Sequence, residues 1–301
     1  MRAGKHRWDD VQAFLAVARS GRLTSAARAM AIEHTTLSRR IDRLEASLGF
    51  KLFDRRPTGY SLTPQGALLL PHAEELESRA ISIWSDHFDV QSALVGTIRI
   101  GSPEAFGTFF LAEIIGGLTA ANPGLTVELV AMPRSFSLSQ READLAIGLS
   151  RPTTGRLHAR KLTDYALGLY GSADYLARNG APVDKGDLRK HRFVGYIDEL
   201  VFAPELDYYA SALPGVSPTI RISNVITQMA AVAGGAGLCI LPCFMADRNP
   251  ALSRVLPQAI SIFRTYWLLT HSDTHRERRI KSLSDFISSS IAARQDLFLP
   301  N

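Results

Sequence analysis

The stretch RLTSAARAMAIEHTTLSRRIDRLEASLG, Arg22 to Gly49, decides the fold. It reads as two short helices packed across each other, the second basic and rich in hydroxyls. Thr24 is placed to cap a first helix carrying Ala26, Ala27 and Met30, and Thr35 or Thr36 to cap a second. The inward positions of that second helix, Leu37, Ile41, Leu44 and Leu48, recur at helical spacing. Ala27 is small where two helices must cross closely. Ser38, Arg39, Arg40 and Arg43 fall on the opposite face, within reach of a phosphate or a base edge. The pattern predicts a helix-turn-helix; the plain alternative is a two-helix hairpin with a solvated basic face.

The flanks agree with that reading. Trp8 to Ser20 is expected to be a helix with Val11, Phe14, Leu15 and Ala18 as its apolar stripe, Trp8 and Phe14 belonging to the core. Lys51 to Leu62 carries Arg55, Arg56, Pro57 and Gly59 in a short extended element with a turn, which suits a wing lying along the DNA backbone or minor groove. Arg55 and Arg56 follow the apolar pair Leu52 and Phe53 and are expected to be held out from the domain. The net charge of +5 is unevenly spread: residues 1–63 hold 12 basic and 6 acidic side chains, the remainder 22 and 23. Such segregation fits a counterion-displacing reader joined to a nearly neutral module.

These residues together resemble the LysR-type transcriptional regulators. The N-terminal signature of that family, a double alanine, a Ser-Arg pair and a Leu-Glu before a glycine, is met by Ala26 and Ala27, Ser38 and Arg39, Leu44 and Glu45, and Gly49. LFDRRPTGYSLTPQG, Leu52 to Gly66, is similar to the family's wing and its exit into a long helix. The chain departs from the pattern at Glu33 and His34, where Ser and Gln are common, so base contacts there do not transfer; His34 stands at the entrance to the reading helix.

From Pro64 to about Ala93 a long helix is expected, Pro64 suiting its first turn. Leu69, Ala73, Leu76, Ala80, Ile83, His87 and Val90 alternate steps of four and three, a narrow seam that calls for a partner helix and hence a dimer. After Gly96 the periodicity changes. Thr97 to Gly101, Leu125 to Val130 and Leu145 to Gly148 read as short strands separated by helices, an open α/β arrangement. By the family resemblance this half is similar to a two-lobed periplasmic binding protein. It implies one lobe of residues 97–162 with 268–301 and a second of 163–267, with strands at Ala166 to Tyr170, Phe193 to Tyr196, Ile220 to Asn224 and Leu238 to Leu241, and with the two crossovers as hinges. The resulting division is a winged helix-turn-helix over 1–63, a linker helix over 64–95 and an effector domain over 96–301.

Ligands of open α/β sheets gather beyond the carboxyl ends of strands, beside helix N-termini. Ser102, Pro103 and Glu104 follow the first strand and are expected to start a helix, with Ser102 as its cap and the amides near Glu104 to Phe106 facing an anion. Ser223 and Asn224 stand before another helix, and Met132 and Pro133 follow a third strand. Each is an N-cap or turn on residue type alone; the resemblance marks these positions as effector contacts. Cap-type donors suit a carboxylate, while Phe106, Tyr196 and Phe202 equally admit an aromatic or aliphatic body.

Other classes fit less well. No Gly-x-Ser-x-Gly elbow is present, and GGAG at Gly234 to Gly237 follows a helical stretch, where it reads as a helix end. Cys239 and Cys243 lack the spacing and histidines of a zinc site, and two cysteines in 301 residues indicate a reducing compartment. With 46% hydrophobic residues and a mean hydropathy of +0.01, no membrane span or export signal is expected. A solute-binding protein would want such a signal and no basic reader, and an enzyme built on the α/β half would want a catalytic constellation. The reading is a cytoplasmic regulator without cofactor, binding duplex DNA and a small-molecule effector, dimeric and by resemblance tetrameric.

Overall fold

In a computed structural model, which describes residues 7–56, 59–88, 94–136, 138, 142–152, 157–272, 274–275 and 277–300, helix α1 (Trp8–Ser20) leads into α2 (Leu23–Ala29) and α3 (His34–Leu48). Phe14 and Leu15 of α1 meet Ala26 of α2 and Leu37 and Ile41 of α3 in one fully buried cluster. Trp8 is only half-buried. Gly21 ends α1 with φ +64, and Gly49 ends α3 with φ +80, each donating its amide one turn back, to Val17 O and Glu45 O. Positive φ is what glycine permits at a helix end.

The helix starts differ from the sequence reading. Arg22 and Glu33 hold the cap positions in extended conformation with no side-chain cap hydrogen bond, so Thr24, Thr35 and Thr36 lie within the first turns. The turn between the helices fixes the start of α3: Ile32 N donates to Ala27 O at 3.1 Å and Ala31 takes φ +52. Backbone geometry there outweighs the statistical preference of threonine for a cap.

Strands β1 (Phe53–Arg56) and β2 (Gly59–Leu62) pair antiparallel, Arg56 opposite Gly59; the expected turn residue Pro57 lies outside the described residues. The hairpin is pinned at both ends. Tyr60 N donates to Gly21 O at 2.8 Å, and a Cβ on Gly59 would stand 2.5 Å from that same oxygen. Glu45, buried on α3, accepts Lys51 Nζ at 2.6 Å, Leu52 N at 2.9 Å and Phe53 N at 3.4 Å. Thr63 Oγ1 accepts Gly66 N at 3.0 Å, capping α4 (Pro64–Phe88). Leu69 and Ala73 of α4 pack into the core formed with α1, whereas Leu76 is 51% exposed. The narrow seam read from the sequence is therefore shared: its first members are covered within the chain. The side chains of Ile83 and His87, and Val90 as a whole, lie outside the described residues.

The chain divides near residue 90 into two compact units. In the second, seven strands among the described residues form one sheet in the order β10-β6-β11-β5-β3-β4, with β9 also paired to β6. They are β3 (Gly96–Ser102), β4 (Leu125–Ala131), β5 (Leu145–Gly148), β6 (Leu157–Ser172), β9 (Cys239–Pro242), β10 (Leu252–Val255) and β11 (Ile262–His271); β7 (Val194–Tyr196) and β8 (Ile220–Ile222) form a separate parallel pair. β3 is parallel to β4 and β5, as helical crossovers require. β6 and β11 run antiparallel through the expected lobe boundary as one ladder, from His271 opposite Leu157 to Ile262 opposite Leu167, with Leu162 bulged out at Tyr266/Trp267.

The segment Glu104–Ala121 is apolar enough by length and composition to cross a membrane, with mean hydropathy 1.3, which the sequence reading had not anticipated. Its Phe106, Phe110, Leu111, Ile114 and Leu118 are buried in the core of the sheet unit, which accounts for the composition. GGAG closes the helix Val225–Ala233: Gly234 N donates to Ala230 O, and Gly235 takes φ +82.

Burial pushes the Glu45 carboxyl up, but the Lys51 ammonium and the Leu52 and Phe53 amides outweigh it and hold the group below the ordinary glutamate range. Because the folded value lies below the unfolded one, the stabilisation is complete above about pH 4.3 and is lost as pH falls through the folded value. Glu45→Gln is expected to destabilise the N-terminal unit by about 2 kcal/mol at neutral pH and to flatten its acid limb. Urea melts from pH 7 to pH 3 check both effects.

Candidate functional site

The outer face of α3 is built by exclusion. Leu37, Ile41 and Leu44 turn inward, which leaves Thr35 and Arg39 exposed, with Thr36 and Ser38 half-exposed beside them. His34 is exposed at the helix start, Thr24 on α2, and Arg56 on β1. These seven lie in the N-terminal unit without an ion pair or side-chain hydrogen bond among the described residues. The first turns of a reading helix are where base edges are met.

Three arginines expected in the same role are engaged elsewhere. Arg43 donates from Nε to Asp10 Oδ2 at 2.7 Å and from Nη2 to Asp10 Oδ1, and Asp10 is 2% exposed. The hydrogen bond to Asp10 raises the Arg43 guanidinium above its ordinary range. Arg40 Nη2 lies 3.7 Å from Asp9. Arg55 folds back on α3, 2.5 Å from Asp42 and 3.5 Å from Glu45, with its guanidinium 5.7 Å from the Tyr60 ring. Arg55 is thus not held out from the domain as the sequence suggested. The cause in each case is an acidic side chain that folding brings up from another element. Asp10, 33 residues from Arg43, carries no local signal of that pairing.

In the second unit a narrow cavity of about 30 Å³, the room of a water or two, lies between the start of the helix at Glu104 and the aromatic side chains of β6, β7 and β11. Glu104, Tyr165, Tyr196, Phe202, Tyr208 and Tyr266 give it its chemistry. Tyr165 and Tyr266 stack with centroids 4.2 Å apart and planes at 14°, and both are almost wholly buried. Burial raises the Tyr165, Tyr196, Tyr208 and Tyr266 phenols far above their ordinary range, so all four stay neutral. Burial also raises the Glu104 carboxyl. No Lys, Arg or His lines this cavity.

Of the residues expected to touch an effector, Glu104 and Pro133 line the cavity. Ser102 is fully buried and does not cap: Pro103 takes the cap position with no side-chain bond, and Ser102 Oγ donates to Pro103 O at 3.0 Å. Phe106 is core, its ring 4.7 Å from Tyr266 and 5.8 Å from Phe298. Asn224 caps the helix after β8, accepting Thr227 N at 2.8 Å, with Ser223 Oγ 3.5 Å from its amide. The next residue, Val225, reaches the cavity instead. Met132 is 42% exposed and is not among the lining residues. Tyr196 and Phe202, which the sequence offered as aromatic walls, do line the cavity, whereas Tyr165, Tyr208 and Tyr266 carried no local signal; Tyr165 and Tyr266 are 101 positions apart yet neighbours on the β6–β11 ladder. Cys239 and Cys243 are both buried, and burial pushes the Cys239 thiol up to about 12, which leaves it inert.

Comparison with known proteins bears on both sites. Residues 8–67 match the family described as bacterial regulatory helix-turn-helix protein, lysR family, and residues 91–292 match the LysR substrate binding domain. The Mau operon transcriptional activator of Paracoccus denitrificans is 28% identical over 267 residues, 87% of this chain and 88% of the relative. The regulator CrgA of Neisseria meningitidis serogroup C is 24% identical, covering 93% of this chain and 95% of its own. Among solved structures, full-length OxyR from Pseudomonas aeruginosa superposes with a TM-score of 0.74 at 20% identity, covering 94% of this chain and 97% of that one. CrgA from Neisseria meningitidis gives 0.57 at 22%, covering 94% and 98%. The two family matches take up most of the described chain, one on the basic helix-turn-helix and the other on the sheet with its aromatic cavity, and the chain belongs to the LysR family of transcriptional regulators.

Proposed function

We propose that His34, Thr35, Thr36, Ser38 and Arg39 enter the major groove, while Thr24 and Arg56 meet phosphates beside it. The protein is a sequence-specific DNA-binding regulator controlled by a small molecule, as its family is, and not an enzyme; the proposal concerns which residues carry that activity. The observation behind it is the sorting of cations in the N-terminal unit, where Arg39 and Arg56 stand exposed and without partners while Arg43 and Arg55 are paired. A charge already balanced by Asp10 or Asp42 releases few counterions when DNA arrives.

The proposed division assigns residues 1–63 to the reader, 64–95 to the linker and 96–301 to the effector domain. Its lobes are 97–162 with 268–301, and 163–267, with the aromatic cavity between them as the effector site. At about 30 Å³ the cavity is too small for most metabolites, so an occupant moves its walls apart and shifts the balance between two lobe arrangements. A carboxylate effector, favoured by the sequence, finds no cationic lining residue there. The exposed Leu76 of α4 supports a dimer formed along that helix. Pairing of two such dimers into a tetramer extends the same proposal, and a DNA target places the protein in the cytoplasm.

Selecting duplexes from a random pool with the full-length protein tests the reader. On the selected duplex, Arg39→Ala is expected to weaken binding and to reduce the slope of log affinity against log salt by about 0.9. Arg43→Ala is expected to leave that slope nearly unchanged while lowering the melting temperature. Equal slope losses for the two would refute the sorting. Separately, Leu76→Glu is expected to shift the sedimentation equilibrium toward smaller species, and an unchanged mass would remove α4 from the interface.

A further inference from the structure

Glu104 is unlike the other shielded carboxylates of this protein. Asp10 is met by Arg43, Glu45 by Lys51 and two amides, and Glu205 by the Ser150 hydroxyl. Glu104 is half-buried at the wall of the aromatic cavity, and no ion pair or hydrogen bond reaches its carboxylate among the described residues. Partial burial is the one influence that acts on it, and it raises the carboxyl. A carboxylate on the wall of an aromatic cavity, met by no cation or donor among the described residues, is available to a cationic ligand.

We infer that the effector is a small organic ammonium ion, its charge met by the Glu104 carboxylate and its carbon substituents packed among Tyr165, Tyr196, Tyr208 and Tyr266. The inference rests on the reading of this cavity as the effector site. Rings of tyrosine around a carboxylate are the surroundings a desolvated organic cation prefers, because the negative ring faces and the carboxylate attract it while the rings bury its methyl or methylene groups.

Charge in the surroundings favours the same sign of ligand. Glu104 is the single charged residue lining the cavity. The helix that it starts offers about half a positive charge at its N-terminus, less than the full negative charge of an ionised carboxylate at the same place. A wider groove of about 540 Å³ shares Tyr196, Phe202 and Leu206 with the cavity, and its charged lining residues are Asp198 and Asp207. Asp198 is paired with Arg221 at 2.6 Å, so that end of the groove is balanced and does not attract anions. Arg264, the nearby cation, is not a lining residue; it donates to the carbonyls of Glu205 at 3.2 Å and Phe263 at 3.1 Å. An incoming anion would meet Glu104 with no lining cation to offset it, and an uncharged ligand would leave the Glu104 charge without a counterpart.

Three probes of similar size and different charge test this on the full-length protein by calorimetry: tetramethylammonium, tert-butanol and pivalate. Tetramethylammonium is expected to bind saturably at millimolar concentration, tert-butanol about tenfold more weakly and pivalate not at all. Glu104→Gln is expected to lower the tetramethylammonium affinity about tenfold, to the level of tert-butanol. The ammonium assignment is overturned if pivalate binds as tightly as tetramethylammonium, if Glu104→Gln leaves tetramethylammonium binding unchanged, or if tetramethylammonium shows no saturation. Val225→Trp and Tyr196→Leu, each checked for fold by its circular dichroism melt, separate the two levels of failure. Pivalate binding that these variants abolish keeps the cavity as the effector site and discards only its charge preference. Probe binding that neither variant nor Glu104→Gln alters discards the cavity itself.

Discussion

A carboxylate taken out of water costs several kcal/mol unless a cation or an amide meets it, and this constraint shapes both units of the protein. In the N-terminal unit it acts as a sorting rule. Asp10 on α1 and Glu45 on α3 are buried, so each commits cations and amides of a neighbouring element to its own neutralisation. Arg43 thereby ties α3 to α1, and Lys51 with the Leu52 and Phe53 amides ties α3 to the wing. The Leu-Glu-…-Gly part of the family signature acquires a physical meaning: Leu44 fills the core, Glu45 anchors the hairpin, and Gly49 ends the helix with a backbone that other residues rarely adopt. Arg39 and Arg56, which no acid claims among the described residues, are those proposed to meet base and phosphate.

In the second unit, more exposed ion pairs link segments on either side of the ladder of β6 and β11. Arg248, which follows β9, reaches Glu113 at 2.5 Å on the helix after β3 and also donates to Phe109 O at 3.0 Å, while Arg294 from the C-terminal segment reaches Glu113 at 3.3 Å. The hydrogen bond to Arg248 is the foremost of the influences that hold Glu113 below the ordinary range. Ser150 and Glu205 form a further contact between segments on either side of the ladder. These contacts are polar and partly exposed, individually worth little. Contacts of this kind would come apart at small cost if the proposed lobes reposition.

The sequence made the apolar architecture legible because periodicity is local. The stripe of α1, the Leu37, Ile41 and Leu44 row of α3, and the runs that became β3, β4 and β5 are each set by residues within a few positions of one another. Polar roles were less legible. Arg39 and Arg43 are four apart on one helix and chemically identical, yet Arg43 is claimed by an aspartate 33 positions away, and nothing near Arg43 announces it. Ser102 looked like a cap and became a buried strand end, because Pro103 took the cap position. The aromatic cavity is assembled from Glu104, Tyr165, Tyr196, Tyr208 and Tyr266, a set that exists only once β6 and β11 have paired.

The geometry of that cavity constrains how an effector could act. An interior of about 30 Å³ is filled by a water or two, so an occupant of several heavy atoms must separate the walls that Glu104 and Tyr196 supply from opposite segments. β6 and β11 pass continuously between the halves, and a long antiparallel ladder resists shear but bends where pairing is interrupted. Leu162 is such a place, where the register slips between Tyr266 and Trp267, and Tyr266 lines the cavity. A ligand that displaced Tyr266 would act on the ladder where its pairing is interrupted. On this reading the effector need not pull the protein shut: by holding Glu104 and the tyrosines apart it would favour the more open of two arrangements, and its differential affinity for the two would set how far the balance moves.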